Sequence, residues 1–351
     1  MVDGRERRQP QKPEKPESRA YIGSFTSAGG RGILVADVDP GSGALSVRSA
    51  VDDLPDPSYL ALSGALLYAV SETPDGRVAA YHRHGDRLLP AGPPVPVAAD
   101  GPTHLSVHAG HVLTANYGSG SVTAVPLRED GTLVAGAAAV LRHEGSGPVL
   151  DRQRSPHAHQ VLPDPDGRWI LSVDLGTDSV RVGSFEGGAL AVRREIRSRP
   201  GSGPRHLAFH PDGRRAYVLN ELTPTVVGCG WDAERGVLEP LFETPVLREV
   251  PAGGAWPSGI VVSPDGCFVW TATRGPDVIS VFAVADDGLR LVSTVPCGGV
   301  WPRALALHGG FLYVAGERSG DITWFSPDPS TGVPRHRGSV PAPAASCIVF
   351  R

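Results

Sequence analysis

Apolar and polar positions along this chain alternate in short runs, and each run stops at a turn signal rather than continuing with helical spacing. In GPRHLAFHPDGRRAYVLNEL, residues 203–222, two such runs flank Pro211, Asp212 and Gly213. Period-two alternation on either side of Pro-Asp-Gly predicts two antiparallel strands joined by a tight turn. The same layout returns as SPHAHQVLPDPDGRWILSVDLGTDSV, WPSGIVVSPDGCFVWTATRGPDVISVF and WPRALALHGGFLYVAGERSGDITWF. It returns more faintly as PSYLALSGALLYAVSE and PTHLSVHAGHVLTANYGSGSV. The prolines that open these copies are Pro57, Pro102, Pro156, Pro204, Pro257 and Pro302, at steps of 45, 54, 48, 53 and 45 residues. A period of that size built from short alternating strands predicts an all-β fold, a β-propeller with one four-stranded blade per repeat.

The N-terminal copy lacks a first strand. It starts at AYIGSF and continues with GILVADVD and ALSVRS, while ASCIVF, Ala345 to Phe350, matches the missing strand. Strands from both chain ends then complete one blade and close a ring of seven, which removes exposed sheet edges. The repeat therefore predicts one domain over residues 19–351. Residues 1–18, charged and proline-rich, read as a disordered tail without the apolar stretch of an export signal.

Composition narrows the chemistry. The 44 glycines and 34 prolines suit a chain with many tight turns. A formal net charge of −4 disfavours nucleic acid or an anionic membrane as partner. No apolar run is long enough to span a bilayer. Cys229, Cys267, Cys297 and Cys347 lie scattered without CxxC spacing, which fits buried free thiols and a cytoplasmic location. The only lysines are Lys12 and Lys15, so the folded body has no lysine for Schiff-base or general-base chemistry. Motifs for nucleophile elbows, zinc hydrolases, phosphate loops and dinucleotide binding are missing.

What remains is where polar residues gather. In a propeller the first strand of each blade lines the central channel, and the residue after the opening proline stands at its mouth. Counting back across each hairpin sets Arg205 against Glu221 or its neighbour, and His157 against Asp174 or Leu175. It likewise sets Arg303 against Glu317, Ser58 against Glu72, and Thr103 against Asn116. One funnel is thus expected to collect His157, Arg205, Glu221, Arg303, Glu317, Asp174, Glu72 and Asn116, with His159 on the face of His157 but deeper. Each has a plainer reading. Arg205 and Glu221 also read as a structural ion pair, His157 as a hydrogen-bonded rim residue, and His159, His206 and His210 as structural. Trp256 and Trp301 either wall the funnel or pack between blades.

The segments YIGSFTS, GILVADVDPGSGALS, SPHAHQVLPDPDGRWILSVDLGTDSV and GPRHLAFHPDGRRAYVLNEL resemble the seven-bladed β-propeller lactonase family. That family includes propeller-type 6-phosphogluconolactonases and is related to the fungal carboxy-cis,cis-muconate cyclase. The resemblance covers nearly the whole folded body and is strongest in the fourth and fifth blades. It implies that His157, Arg205 and Glu221 occupy the positions that the cyclase is thought to use around its lactone. For a further arginine of that enzyme, Arg303 and Arg274 compete.

The expected function is hydrolysis of a sugar or organic-acid lactone at the channel mouth. Arg205 would hold the acyl oxygen or carboxylate, and Glu221 with His157 would move the proton. The alternatives are a cycloisomerase acting on an unsaturated dicarboxylate at the same residues, and a propeller that only binds. The expected partner is a small-molecule lactone or carboxylate, bound by a monomer. No cofactor is expected, and a ring this rich in arginine and histidine predicts a mechanism without a metal.

Overall fold

The computed structural model describes residues 18–351 and forms seven antiparallel sheets arranged as the blades of a propeller. First strands run Leu60–Ser63, Pro102–His108, Ala158–Pro163, Pro204–Phe209, Trp256–Val262 and Pro302–His308 in blades 2 to 7. The first strand of blade 1 is Ala345–Phe350, which pairs with Arg19–Ser24 and sets Tyr21 opposite Val349 and Ile22 opposite Ile348. Each first strand touches the next around the circle, and Ala345–Phe350 touches those of blades 7 and 2. The predicted closure by the two chain ends is therefore present. Blade 2 adds a short fifth strand, Val95–Pro96, on its third strand.

The expected tail over residues 1–18 lies, Ser18 apart, outside the described residues. Ser18 itself bonds through its hydroxyl to His308 Nε2, 2.7 Å away.

Alternation explains why these segments form blades. The residues of second and third strands are buried on both faces, so each blade packs against two neighbours. Between blades 7 and 1, for example, Tyr313, Ala315 and Ile322 meet Ile22, Leu34 and Ile348. Burying one such isoleucine contributes about 1.5–3 kcal/mol, and the contacts recur at every blade junction. The Pro-Asp-Gly turns sit between first and second strands as predicted, with Gly167, Gly213 and Gly266 at φ +66°, +67° and +73°. That left-handed backbone is where glycine is strongly favoured.

All four cysteines are unpaired, but Cys267 is exposed, contrary to the expectation that all are buried. It follows the Asp265–Gly266 turn, where the chain has left the packed face.

Candidate active site

A repeated backbone irregularity builds the channel wall. In blades 3, 4, 5, 7 and 1 the first strand carries one residue with no partner opposite: Thr103, His159, Arg205, Arg303 and Ser346. A bulge of this kind re-aims its side chain. These five residues, together with Ser58, Tyr59, Glu72, His206 and Ala304, line the narrow centre of the ring. His206 therefore shares the channel with Arg205 instead of facing away from it. Strict alternation fails there because the bulge turns two consecutive residues inward.

The bulges also correct the alignment of blade 4. Ala158, not Pro156, stands where Pro204 stands, since Ala158 pairs with Asp174 as Pro204 pairs with Asn220. The counterpart of Arg205 is thus His159, and His157 corresponds to Gly203. One hydrogen bond shows this directly. The Leu175 N–H donates to His157 O at 3.0 Å, as the Glu221 N–H donates to Gly203 O at 2.7 Å.

Two expected members of the funnel lie elsewhere. Asp174 is fully buried; its Oδ2 accepts from His143 Nδ1 at 2.6 Å and its Oδ1 from the His157 N–H at 2.9 Å. Arg181 stands 3.3 Å from the same Oδ2, so the carboxylate is consumed inside the blade. Asn116, also fully buried, bonds to Thr114, Ser121 and Thr123. Both residues end second strands, one position too early to reach the mouth. The residues that follow them, Leu175 and Tyr117, are the counterparts of Glu221, Glu317 and Glu72.

The mouth centres on Glu221. Its Oε1 is 2.7 Å from Arg152 Nη2, and its Oε2 is 2.7 Å from Arg274 Nη2 and 3.1 Å from Arg205 Nε. Burial alone would raise its pKa, but Arg274, Arg205 and Arg152 outweigh it and hold the carboxyl at about 2. Burial and the neighbouring Arg274 pull the Arg205 guanidinium down to about 9, which leaves it charged at neutral pH. Arg205 also donates to the Ser258 carbonyl. Of the two competing arginines, Arg274 joins Glu221, whereas Arg303 pairs with Glu317 at 3.1 Å and approaches Glu72 at 3.8 Å.

Glu72 differs from Glu221. Burial raises its pKa despite the opposing pull of Arg303 and a hydrogen bond from Ser58.

His157 stands beside this cluster. Its Nδ1 lies 2.8 Å from Tyr117 O, and a carbonyl only accepts, so Nδ1 carries the proton and Nε2 keeps its lone pair when the ring is neutral. The ring stacks on Tyr117 with centroids 4.4 Å apart. The Tyr117 hydroxyl in turn meets Arg152 at 3.3 Å. Tyr117 was legible as a repeat position that elsewhere holds glutamate. Arg152 was not, because it comes from the long loop between blades 3 and 4, which follows no repeat.

Deeper in the channel, His159 and His206 lie 5.2 Å apart and His104 and His206 5.7 Å apart, ring centre to ring centre. Burial lowers the pKa of all three, with His104 at about 3 and the nearby Arg205 acting in the same direction. Unfolded histidines titrate near pH 6.5, so below that pH the unfolded chain binds protons that the fold refuses. Stability is therefore complete above about pH 6.5 and is lost as the pH falls. We expect a loss of about 1.4 kcal/mol per pH unit for each fully buried histidine, less for the partly open His206. Thermal melting from pH 8 to 5 checks this, and a flat profile would exclude it. His104→Phe should reduce the slope.

Among the described residues no group of three or more His, Cys, Asp or Glu side chains is arranged to hold a metal ion. No described helix is long and apolar enough to cross a membrane.

Comparison with known proteins agrees with this architecture. The family described as "Lactonase, 7-bladed beta-propeller" matches residues 19–350. The 6-phosphogluconolactonase of Bacillus subtilis is 32% identical over 342 residues, covering 94% of this chain and 97% of that protein. A crystal structure of a protein from Lactobacillus plantarum superimposes with a TM-score of 0.89 at 27% identity, covering 95% of this chain and 99% of that one. The periplasmic gluconolactonase of Pseudomonas aeruginosa does so with a TM-score of 0.87 at 30% identity, covering 95% and 98%. The chain belongs to the seven-bladed β-propeller lactonase family.

Proposed function

We propose that this protein hydrolyses a sugar or organic-acid lactone, in the manner of a 6-phosphogluconolactonase, at the mouth of the central channel. The observation that carries the reading is the pairing of His157, with Nε2 open, with an arginine cluster whose carboxylate stays ionised. In this scheme Glu221 is not the base, because three guanidiniums make it a weak one. Its task is to hold Arg205 and Arg274 charged and in place.

His157 Nε2 takes a proton from water as the water oxygen bonds to the lactone carbonyl carbon. Charge that builds on the carbonyl oxygen is met by guanidinium N–H groups. The intermediate collapses with cleavage of the ring C–O bond, and His157 returns the proton to the departing alkoxide. The product is an open hydroxy acid that ionises in water. We further propose that the protein acts as a monomer in the cytoplasm, without a metal, a location supported by four unpaired cysteines.

The test is acid release from a panel of lactones, corrected for spontaneous opening, with and without EDTA. Turnover that collapses in Arg205→Ala while the variant stays folded is the expected result. Silence on every lactone, with turnover of an unsaturated dicarboxylate, would assign the site to cycloisomerisation instead. Loss of activity in EDTA, restored by Ca²⁺, would overturn the metal-free scheme.

A further inference from the structure

One hydrogen bond recurs at the mouth of most blades: the N–H after the second strand donates to the carbonyl just before the first strand's opening residue. The acceptors are Ala344 for Phe25, Asp56 for Glu72, Gly101 for Tyr117, His157 for Leu175, Gly203 for Glu221 and Trp301 for Glu317. All of them but His157 have positive φ: 51°, 45°, 59°, 59° and 63° in that order. Glycine tolerates this region and aspartate is enriched in it, but a bulky indole there is an outlier. Strained residues of this sort cluster at ligand sites, where the strain is retained for what the side chain does.

The Trp301 side chain lies among mouth residues. Its ring centre is 5.5 Å from the Arg274 guanidinium carbon, 5.7 Å from the Trp256 ring and 3.4 Å from the Arg318 guanidinium carbon. Asp277 Oδ1 fixes the strained backbone by accepting the Trp301 N–H at 2.9 Å. Arg152, Arg205, Arg274 and Arg303 each have a carboxylate partner. Arg318 is exposed, and among the described residues no carboxylate or hydrogen-bond acceptor meets its guanidinium.

We propose that Arg318, laid on Trp301, is the subsite for a negatively charged substituent of the lactone, a phosphate monoester or carboxylate remote from the reacting ester. The inference rests on the lactonase reading above. A stacked guanidinium is held flat and keeps its N–H edges available for paired bonds to an anion. Its distance from Arg274 cannot exceed the two ring distances taken together, a reach that one sugar acid spans. Arg152, Arg205 and Arg274 share the one carboxylate of Glu221, so the mouth carries an excess of positive charge, and Arg318 is its exposed member without a carboxylate partner among the described residues.

The experiment compares wild type with Arg318→Gln and Trp301→Ala on 6-phosphogluconolactone, on a glucarolactone bearing a carboxylate, and on neutral gluconolactone. In Arg318→Gln we expect KM for a charged lactone to rise roughly tenfold more than KM for the neutral one. The salt dependence of the wild-type KM should fall away in the same variant. The two charged substrates distinguish phosphate from carboxylate. Equal changes on charged and neutral lactones, or no change on either charged one, would overturn the subsite. Inorganic phosphate binding, measured by calorimetry, separates this from the lactonase reading. If wild type opens no lactone, weaker phosphate binding by Arg318→Gln still supports the subsite, and equal binding refutes it.

Discussion

Glu221→Gln should lower the stability of the fold by about 3–5 kcal/mol, a large share of what holds a domain together. The amide keeps the shape of the side chain but removes the charge that three arginines share. Arg205 and Arg274 have side chains only 3% and 9% exposed, so their charges cannot be rehydrated. They would instead repel each other across a site built around a carboxylate. Glu221→Asp keeps the charge and should recover part of the loss. Removing Arg274 together with Glu221 should cost less than the two single changes added, because the pair interacts directly. Denaturant unfolding monitors all four variants, the Arg274 single change included. A Glu221→Gln protein as stable as wild type would mean that the arginines do not depend on this carboxylate.

The same carboxylate gives a pH signature of defined sign. Its folded pKa of about 2 lies below the unfolded value. Its contribution is therefore complete above the ordinary carboxylate range and disappears as the pH falls through that folded value. The channel histidines begin to destabilise the fold at a higher pH, so the loss of stability should begin near pH 6.5 and steepen once the carboxylate range is entered.

His157→Gln is expected to do the opposite of Glu221→Gln, leaving stability close to wild type while reducing kcat by about 10²–10⁴-fold. His157 is only half-buried, and its structural bond, Nδ1–H to the Tyr117 carbonyl, can be replaced by a side-chain amide. What glutamine cannot supply is the basic Nε2. KM should change little, since the proposed scheme gives substrate binding to the arginines. A fall in kcat of less than about tenfold would remove His157 from the proton transfer.

The contrast between these variants shows where residue-level reading of the chain reached and where it stopped. Arg205 facing Glu221 followed from counting across the Pro-Asp-Gly hairpin, and the structure places the two side chains in contact. Arg303 facing Glu317 followed in the same way. The counting failed in blade 4, where Pro156 invited an alignment two residues out of step and made His157 look like Arg205. It failed again for Asp174 and Asn116, which a one-residue shift turns from the mouth into the blade. Alternation has a period of two, so a bulge of one residue reverses which side chain faces the channel. Nothing local in the sequence marked those bulges.

The sequence by itself determined the all-β repeat, the number of blades and the closure of the ring by Ala345–Phe350, because each depends on patterns that short strands impose locally. It also determined that blades 2, 5 and 7 bring Glu72, the Arg205–Glu221 pair and the Arg303–Glu317 pair to the mouth. Only the tertiary structure decided that Arg152 crosses from an irregular loop to Glu221, that Arg274 rather than Arg303 joins it, and that Trp301 lies against Arg318. The first two contacts join residues from different blades, and the third joins two loops at the mouth of blade 7. Their pairing depends on the curvature of the ring and the path of loops, which no periodicity along the chain records.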